Sequence, residues 1–246
     1  NSKYDSYIIP KLDWGDGWDD SFSGYTGVYA VYHGILGHTI EIPEGNEESY
    51  KAGRNAVLGG IDFLNQDPDR LLEMRLNFYL RGLNKTEDPK AENELVGPNG
   101  EIVGRVKNGR PKFFPDYYVI PMSLDKDNDA QEAFNMIDYF KRNGVLVKEL
   151  KEDIGNYKKG DLVIDMAQAK RGYANHILYK GSNESAWAAM YAELLVNFPD
   201  MRGFKSEPVF ADGLFNGKLG EVTTTRATRT SEIDPKAPYY VIANTS

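Results

Sequence analysis

The strongest constraint on the fold is an alternation of strand-like and helical segments that begins near Tyr117. Short apolar segments rich in β-branched residues predict strands, and apolar residues three and four positions apart predict amphipathic helices. The predicted strands are residues 117–122, 145–150, 161–166 and 239–243, and the predicted helices are residues 130–140 and 187–198. Since strand–helix–strand connections favour right-handed crossovers, residues 112–246 are predicted to form a three-layer α/β domain. Its sheet should be mostly parallel, with helices packed on its faces.

The first part of the chain has a different organisation. Turns and short strands are predicted for the first forty residues, followed by a strand that ends at Pro43. A helix is predicted over residues 47–65, another from Pro68 to Gly82, and a small hairpin over residues 101–106. The first of these helices has its apolar residues on one stripe: Tyr50, Gly53, Val57, Gly60, Ile61 and Leu64. We place the domain boundary near residue 111, which predicts domains at residues 1–111 and 112–246.

Charge and hydropathy exclude two classes of partner. The chain has 246 residues, with 29 Lys and Arg against 37 Asp and Glu, which gives a net charge of −8. A protein that binds the phosphate backbone needs a basic surface, so nucleic acid is not an expected partner. The sequence has no apolar stretch of about 18 residues, so no membrane span is predicted. With 41% hydrophobic residues the chain is instead expected to bury a core.

Cysteine and histidine limit the possible chemistry. The sequence has no cysteine and three histidines, His33, His38 and His176. The absence of cysteine excludes thiol nucleophiles and thiolate zinc ligands, and no histidine has the spacing of a metal-binding motif. We therefore expect no metal site in this chain alone. We interpret His33 and His38 as structural, and we expect His176 to lie on a helix surface, with a place in a pocket of the second domain as the alternative.

Glu41 is the sharpest local feature, because it is a single carboxylate in an otherwise apolar strand-like segment. One interpretation is an edge-strand charge that points to solvent. The other is a general base whose pKa is raised by apolar neighbours and which faces a cleft. The residue pattern alone leaves both interpretations open.

The segment around Glu41 resembles a known family. It is similar to the last part of the catalytic domain of the zinc carboxypeptidases of peptidase family M14. The similarity covers Gly24-Tyr25-Thr26, the run from Tyr32 to Pro43 (YHGILGHTIEIP) and the helix that begins around Ser49. Residues 112–200 resemble the additional C-terminal region of large bacterial members. The resemblance implies that Glu41 is the general base and acid, and that Tyr25 corresponds to the family's mobile-loop tyrosine, although its spacing from Glu41 departs from the family pattern.

The departure from the family is equally specific. The family's zinc ligands, a His-x-x-Glu pair and a later histidine, precede the catalytic glutamate, and this sequence has no such motif before Glu41. The resemblance therefore implies the C-terminal portion of an M14-like enzyme. Zinc would belong to the complete enzyme, where it polarises the scissile carbonyl and acidifies the attacking water. None is expected in this chain alone, which is predicted to be inactive without the missing N-terminal catalytic segment.

The leading functional hypothesis is thus a bacterial zinc metallocarboxypeptidase-like peptide hydrolase, secreted or at the cell surface, that acts on a peptide or a cell-wall peptide. The alternative is a non-catalytic α/β accessory or binding module that recognises a peptide, a cell-wall fragment or a partner protein. A zinc-binding motif encoded upstream of Asn1 would distinguish the two.

Overall fold

The structure, a computed structural model, describes residues 25–37, 40, 42, 44–87, 94–96, 102–105, 112–122, 130–179, 198–223 and 236–240. The described residues divide into two compact units. The first contains the described residues up to Arg81 together with 94–96 and 102–105, and the second contains the rest, starting at Gly82. The predicted boundary near residue 111 stays a prediction.

Among the described residues, the first unit contains one strand pair and three helices, of which the last extends two residues into the second unit. Helix α1 spans Thr26–Tyr32, α2 spans Glu47–Gln66 and α3 spans Pro68–Leu83. Strands β1 (Glu94–Val96) and β2 (Ile102–Arg105) pair antiparallel. The predictions of α2 and α3 are confirmed, and their boundaries follow from capping. The side chain of Asn46 accepts a hydrogen bond from the Ser49 amide at 2.9 Å, and Asp67 accepts one from the Arg70 amide at 3.0 Å just before Pro68.

The prediction for the first forty residues is wrong where it can be compared. Residues 26–32 form α1 instead of turns and short strands. The central run VYAVY consists mostly of residues with low helix propensity, so local propensity pointed away from the helix that forms. Ile40 and Ile42 belong to neither a helix nor a strand. The other residues of the predicted strand, among them His38 and Glu41, lie outside the described residues.

The chain that follows α1 turns back, so that Gly37 lies against Gly27 in the first turn of the helix. A Cβ on Gly37 would lie 1.9 Å from the carbonyl oxygen of Gly27, so only glycine allows this approach. Because α1 buries no residue, it can shift to make room for a side chain at position 37. We therefore expect Gly37→Ala to displace α1 and to reduce its local stability by about 1 kcal/mol. Hydrogen exchange of the α1 amides should then be about fivefold faster. Gly45→Ala is the control, because nothing lies within 4 Å of its Cβ position, and equal exchange in both variants would refute the contact.

The second unit is built on a five-stranded sheet in the order β6-β3-β5-β4-β7. The strands are β3 (Tyr117–Ile120), β4 (Lys148–Leu150), β5 (Leu162–Asp165), β6 (Glu207–Val209) and β7 (Leu219–Gly220). The helices are α4 (Ala130–Arg142), α5 (Arg171–Leu178) and α6 (Phe198–Arg202). The protein is therefore of mixed α/β type, as predicted.

The prediction of a mostly parallel sheet is wrong for the described strands. All four strand pairs, β3–β5, β3–β6, β4–β5 and β4–β7, are antiparallel. Strands β3 and β4 run in the same direction across α4, as the strand–helix–strand pattern predicts, but β5 lies between them. Only eleven residues, with glycines at 155 and 160 in the left-handed region, connect β4 to β5. A parallel neighbour needs a longer crossover, so β5 returns antiparallel.

The predicted placement of helices on both faces is not seen among the described residues. On one face of the sheet, Tyr117, Val119 and Val163 are covered by four residues: Phe215, Ile154, Tyr157 and Leu214. None of these four covering residues lies in a helix. The other face contacts a helix, since Tyr118 donates a buried hydrogen bond of 2.9 Å to Asn175 of α5. The hydroxyl oxygens of Tyr139 in α4 and Tyr173 in α5 lie 2.6 Å apart, so α4 packs in the same helical layer as α5.

Two further predictions can be compared only in part. Most of the predicted helix 187–198 lies outside the described residues, and Pro199 lies in the first turn of α6 and so does not end a helix. In the predicted strand 239–243, Tyr239 and Tyr240 are described and are not in a strand.

Candidate functional site

Glu41, the predicted general base, lies outside the described residues, but both of its neighbours along the chain are described. Ile40 is 56% exposed, whereas Ile42 is half-buried. The Cδ1 atom of Ile42 lies 3.4 Å from the position that a Cβ on Gly53 of α2 would occupy. The chain on the C-terminal side of Glu41 therefore lies against α2 at Gly53, where even a Cβ would make only an ordinary van der Waals contact with Ile42.

Tyr25, the predicted loop tyrosine, occupies the N-cap position of α1. Its backbone is extended, its side chain is half-buried, and its carbonyl accepts a hydrogen bond of 2.9 Å from the Tyr29 amide. Gly27, two residues further on, lies inside α1, and its carbonyl is approached by Gly37.

His33 follows α1 and links it to α3. Its ring lies against Tyr29 with a centroid distance of 4.4 Å, and its carbonyl accepts a hydrogen bond of 2.8 Å from the Tyr79 hydroxyl. Tyr79 belongs to α3, so this bond anchors the segment that leads towards Glu41. These contacts agree with a structural role for His33. His176, on α5, is half-buried in the second unit, and His38 lies outside the described residues.

A zinc site does not fit the residues that the structure describes. Within them no group of three or more His, Asp or Glu side chains is placed to hold a metal ion. The expectation that this chain holds no zinc by itself remains a prediction, and so does the proposal of zinc for a complete enzyme.

A cluster of charges that was not foreseen from the sequence lies in the second unit. Asp116 precedes β3 with a side chain only 3% exposed, and it lies 2.6 Å from the ammonium of Lys112 and 3.3 Å from that of Lys85. Lys85 also forms an ion pair with Asp212, in the loop between β6 and β7. Lys85 therefore connects the end of α3 to the residue before β3 and to the loop between β6 and β7.

The backbone at Lys85 is strained to make this bridge. Its φ of 51° lies in the left-handed region, which costs a residue with a side chain about 1–2 kcal/mol. Lys85 ends α3 by donating its amide hydrogen to the carbonyl of Gly82 at 3.2 Å. We attribute to this cluster the role of fastening residues 82–87 to the rest of the second unit. No local signal could have revealed it, because its members are far apart in the chain.

The same cluster predicts a pH dependence of stability. The hydrogen bond and charge of Lys85 lower the pKa of Asp212 below its ordinary value of 3.8. Burial alone would lower the pKa of Lys85, but its bonds to Asp212 and Asp116 outweigh burial and raise that pKa above 10.5. The pair therefore stabilises the folded state between these values. The contribution of Asp212 is lost as the pH falls through its lowered pKa, and that of Lys85 as the pH rises above 10.5.

We accordingly expect Asp212→Asn to lower the urea midpoint near neutral pH. The decrease should be smaller at about pH 2, because the contribution of Asp212 is lost as the pH falls through its lowered pKa. Urea titrations of both proteins at the two pH values measure this. An equal decrease at both values would show that the loop is held by something other than this ion pair.

Comparisons with family models, with curated proteins and with solved structures found no match for this chain. No helix in the described part of the chain is both long and apolar enough to cross a lipid bilayer.

Proposed function

We propose that this chain is the C-terminal portion of an M14-like zinc carboxypeptidase and supplies its general base, Glu41. The observation that carries the proposal is the sequence HTIEIP at residues 38–43, placed after a glycine-rich approach and before the helix α2. A carboxylate can both accept and return a proton, as a general base and acid must.

The geometry of the first unit is compatible with this role. Tyr79 holds the segment before Glu41 through the carbonyl of His33, and Gly53 receives Ile42 directly after it. A general base must be held in a fixed position to act within hydrogen-bond distance of a water molecule. The described residues on either side of Glu41 in the sequence are attached to α3 through His33 and to α2 through Ile42.

In the proposed reaction Glu41 takes a proton from the water that attacks the scissile carbonyl, and it returns that proton to the nitrogen of the departing amino acid. Zinc, when bound by the complete enzyme, would polarise that carbonyl. The substrate would be a peptide or a cell-wall peptide, and the setting would be the surface of a bacterium or its surroundings. We propose that α2 and α3 are the closing helices of the catalytic domain.

A second candidate is a non-catalytic accessory module that recognises a peptide, a cell-wall fragment or a partner protein. It is favoured by one observation, which is that the second unit has its own sheet and buried core and includes no part of the segment around Glu41. In this case Glu41 would be a solvated charge.

The test that separates the two is the coding sequence upstream of Asn1. The carboxypeptidase proposal expects a His-x-x-Glu pair and a later histidine there. It also expects that this chain alone, after dialysis, retains no stoichiometric zinc. The proposal would be contradicted by an upstream sequence without these motifs. One tightly held zinc per isolated chain would also contradict it.

A further inference from the structure

Two Asn-Gly pairs lie in described loops of the second unit, and they have the same chemistry in different surroundings. Asn143-Gly144 follows α4, and Asn216-Gly217 lies in the loop between β6 and β7. In such a pair the backbone nitrogen of glycine can attack the side-chain amide carbon of asparagine, because glycine has no Cβ that obstructs the approach. The attack requires an unbonded glycine amide and an asparagine side chain that can move, so the surroundings decide which pair reacts.

In the pair Asn143-Gly144, hydrogen bonds hold both reacting groups. The side-chain nitrogen of Asn143 donates to the carbonyl of Tyr139 at 2.8 Å, and the Gly144 amide donates to the carbonyl of Lys141 at 3.1 Å. Both acceptors belong to the last turn of α4, so the attack can occur only after this turn has opened. Local opening of a packed helix end is infrequent, and the pair is therefore protected.

The pair Asn216-Gly217 has neither restraint. It occupies the two central positions of a turn that is closed by a hydrogen bond of 3.0 Å from the Lys218 amide to the Phe215 carbonyl. That bond does not use the Gly217 amide, which has no hydrogen-bond partner among the described residues. The side chain of Asn216 is exposed and also has no hydrogen bond to a described residue. Both reacting groups are therefore available in the folded protein.

We propose that Asn216 is a site of spontaneous covalent modification, with water as the only co-reactant. The Gly217 nitrogen gives its proton to solvent and bonds to Cγ of Asn216. The bond from Cγ to Nδ2 breaks, and the side-chain nitrogen takes up a proton and leaves as ammonia, which completes a succinimide ring. Water then opens the ring. Addition of water at Cγ produces aspartate, whereas addition at the main-chain carbonyl carbon of residue 216 produces isoaspartate.

The residues on either side of the pair give isoaspartate a structural effect. Phe215, directly before it, is fully buried and packs edge-on against Tyr117 and Tyr157, with ring centroids 5.0 and 5.4 Å away. Lys218, directly after it, accepts a hydrogen bond of 3.0 Å from the Lys151 amide through its carbonyl. Isoaspartate adds a carbon atom to the main chain between these two attachments, so the turn can no longer satisfy both in the original geometry.

The experiment incubates the folded chain at mildly alkaline pH and digests samples with trypsin at intervals. Residues 143–148 and 206–218 are released as separate peptides, and fragmentation locates the mass change of deamidation in each. Asn216 should react at least about tenfold faster than Asn143, because only Asn143 must wait for local opening. In concentrated urea the two pairs should react at similar rates. In Asn216→Gln, whose longer side chain closes the ring far more slowly, peptide 206–218 should stay unmodified.

Equal rates at Asn216 and Asn143 in the folded protein would overturn the proposal, and so would a rate difference that persists in urea, since it would come from the neighbouring sequence. Hydrogen exchange tests the structural effect. In the isoaspartate form the Lys151 amide should exchange about fivefold faster, while the Met166 amide, bonded to the Asp116 carbonyl at 3.0 Å, should not change. Asn216→Asp has the new charge without the longer main chain and should exchange like the wild type. Unchanged exchange at Lys151 in the isoaspartate form would contradict this effect.

Discussion

Replacing Glu41 by Gln in the complete enzyme is expected to slow peptide hydrolysis by about 10² to 10⁴, the usual contribution of a positioned general base. Glutamine keeps the size and hydrogen-bonding capacity of the side chain but cannot accept the proton of the attacking water. Bound zinc and the melting temperature should be unchanged, because Glu41 is not a ligand in this scheme. The measurement is kcat on a blocked dipeptide, with zinc determined in the same sample.

Glu44→Gln is the matched control, since Glu44 is three residues away, is exposed, and bonds only to the side chain of Asn46 among the contacts described. Its kcat should stay within about twofold of the wild type. If Glu41→Gln behaves in the same way with zinc in place, Glu41 is an edge charge. Loss of zinc together with activity would point to misfolding or to a ligand role.

Replacing Gly82 by Ala is expected to destabilise the second unit by about 2–3 kcal/mol. A Cβ on Gly82 would lie 2.3 Å from the carbonyl oxygen of Gln168 and 3.2 Å from that of Ala169. This loop cannot move aside cheaply. The buried side chain of Gln168 accepts a bond from the Leu146 amide at 2.8 Å and donates one to the Asp165 carbonyl at 2.6 Å.

The control is Gly172→Ala, in the first turn of α5, where nothing lies within 4 Å of the Cβ position. Alanine favours a helix, so this variant should be neutral or more stable by up to about 1 kcal/mol. Urea unfolding of both variants, monitored by tyrosine fluorescence, measures the difference. Equal midpoints would mean that the end of α3 does not pack on the Gln168 loop.

The sequence predicted the elements whose signals are local. Glu47 and Glu48 in the first turn of α2, and Pro68 at the start of α3, are local start signals, and both helices begin there. The helical stripe of α4 and the strands β3 and β5 were equally visible. Such signals depend only on neighbouring residues, so one sequence is enough to find them.

The direction of β5 was predicted incorrectly because strand pairing is not local. Residues 161–166 have the composition of a buried strand, which is the same for parallel and antiparallel neighbours. The decisive signal was the length of the connection from β4, which is too short for a helical crossover. Counting those residues would have predicted an antiparallel return.

The Lys85–Asp116–Asp212 cluster could not have been predicted at all. The preceding residues Leu83 and Asn84 suggest a helix end, but asparagine adopts the left-handed conformation more readily than lysine. Lysine has it here because its side chain reaches two carboxylates that only the fold brings together. For Glu41 the sequence pattern remains the source of the proposal.

The most direct test of the central proposal is one assay of the protein translated with its upstream segment. Zinc per chain and release of a C-terminal amino acid from a blocked peptide are measured on the same preparation, before and after treatment with a chelator. The proposal predicts about one zinc per chain, hydrolysis that the chelator removes, and its return when zinc is added back. A folded protein that releases no amino acid with zinc supplied would contradict it.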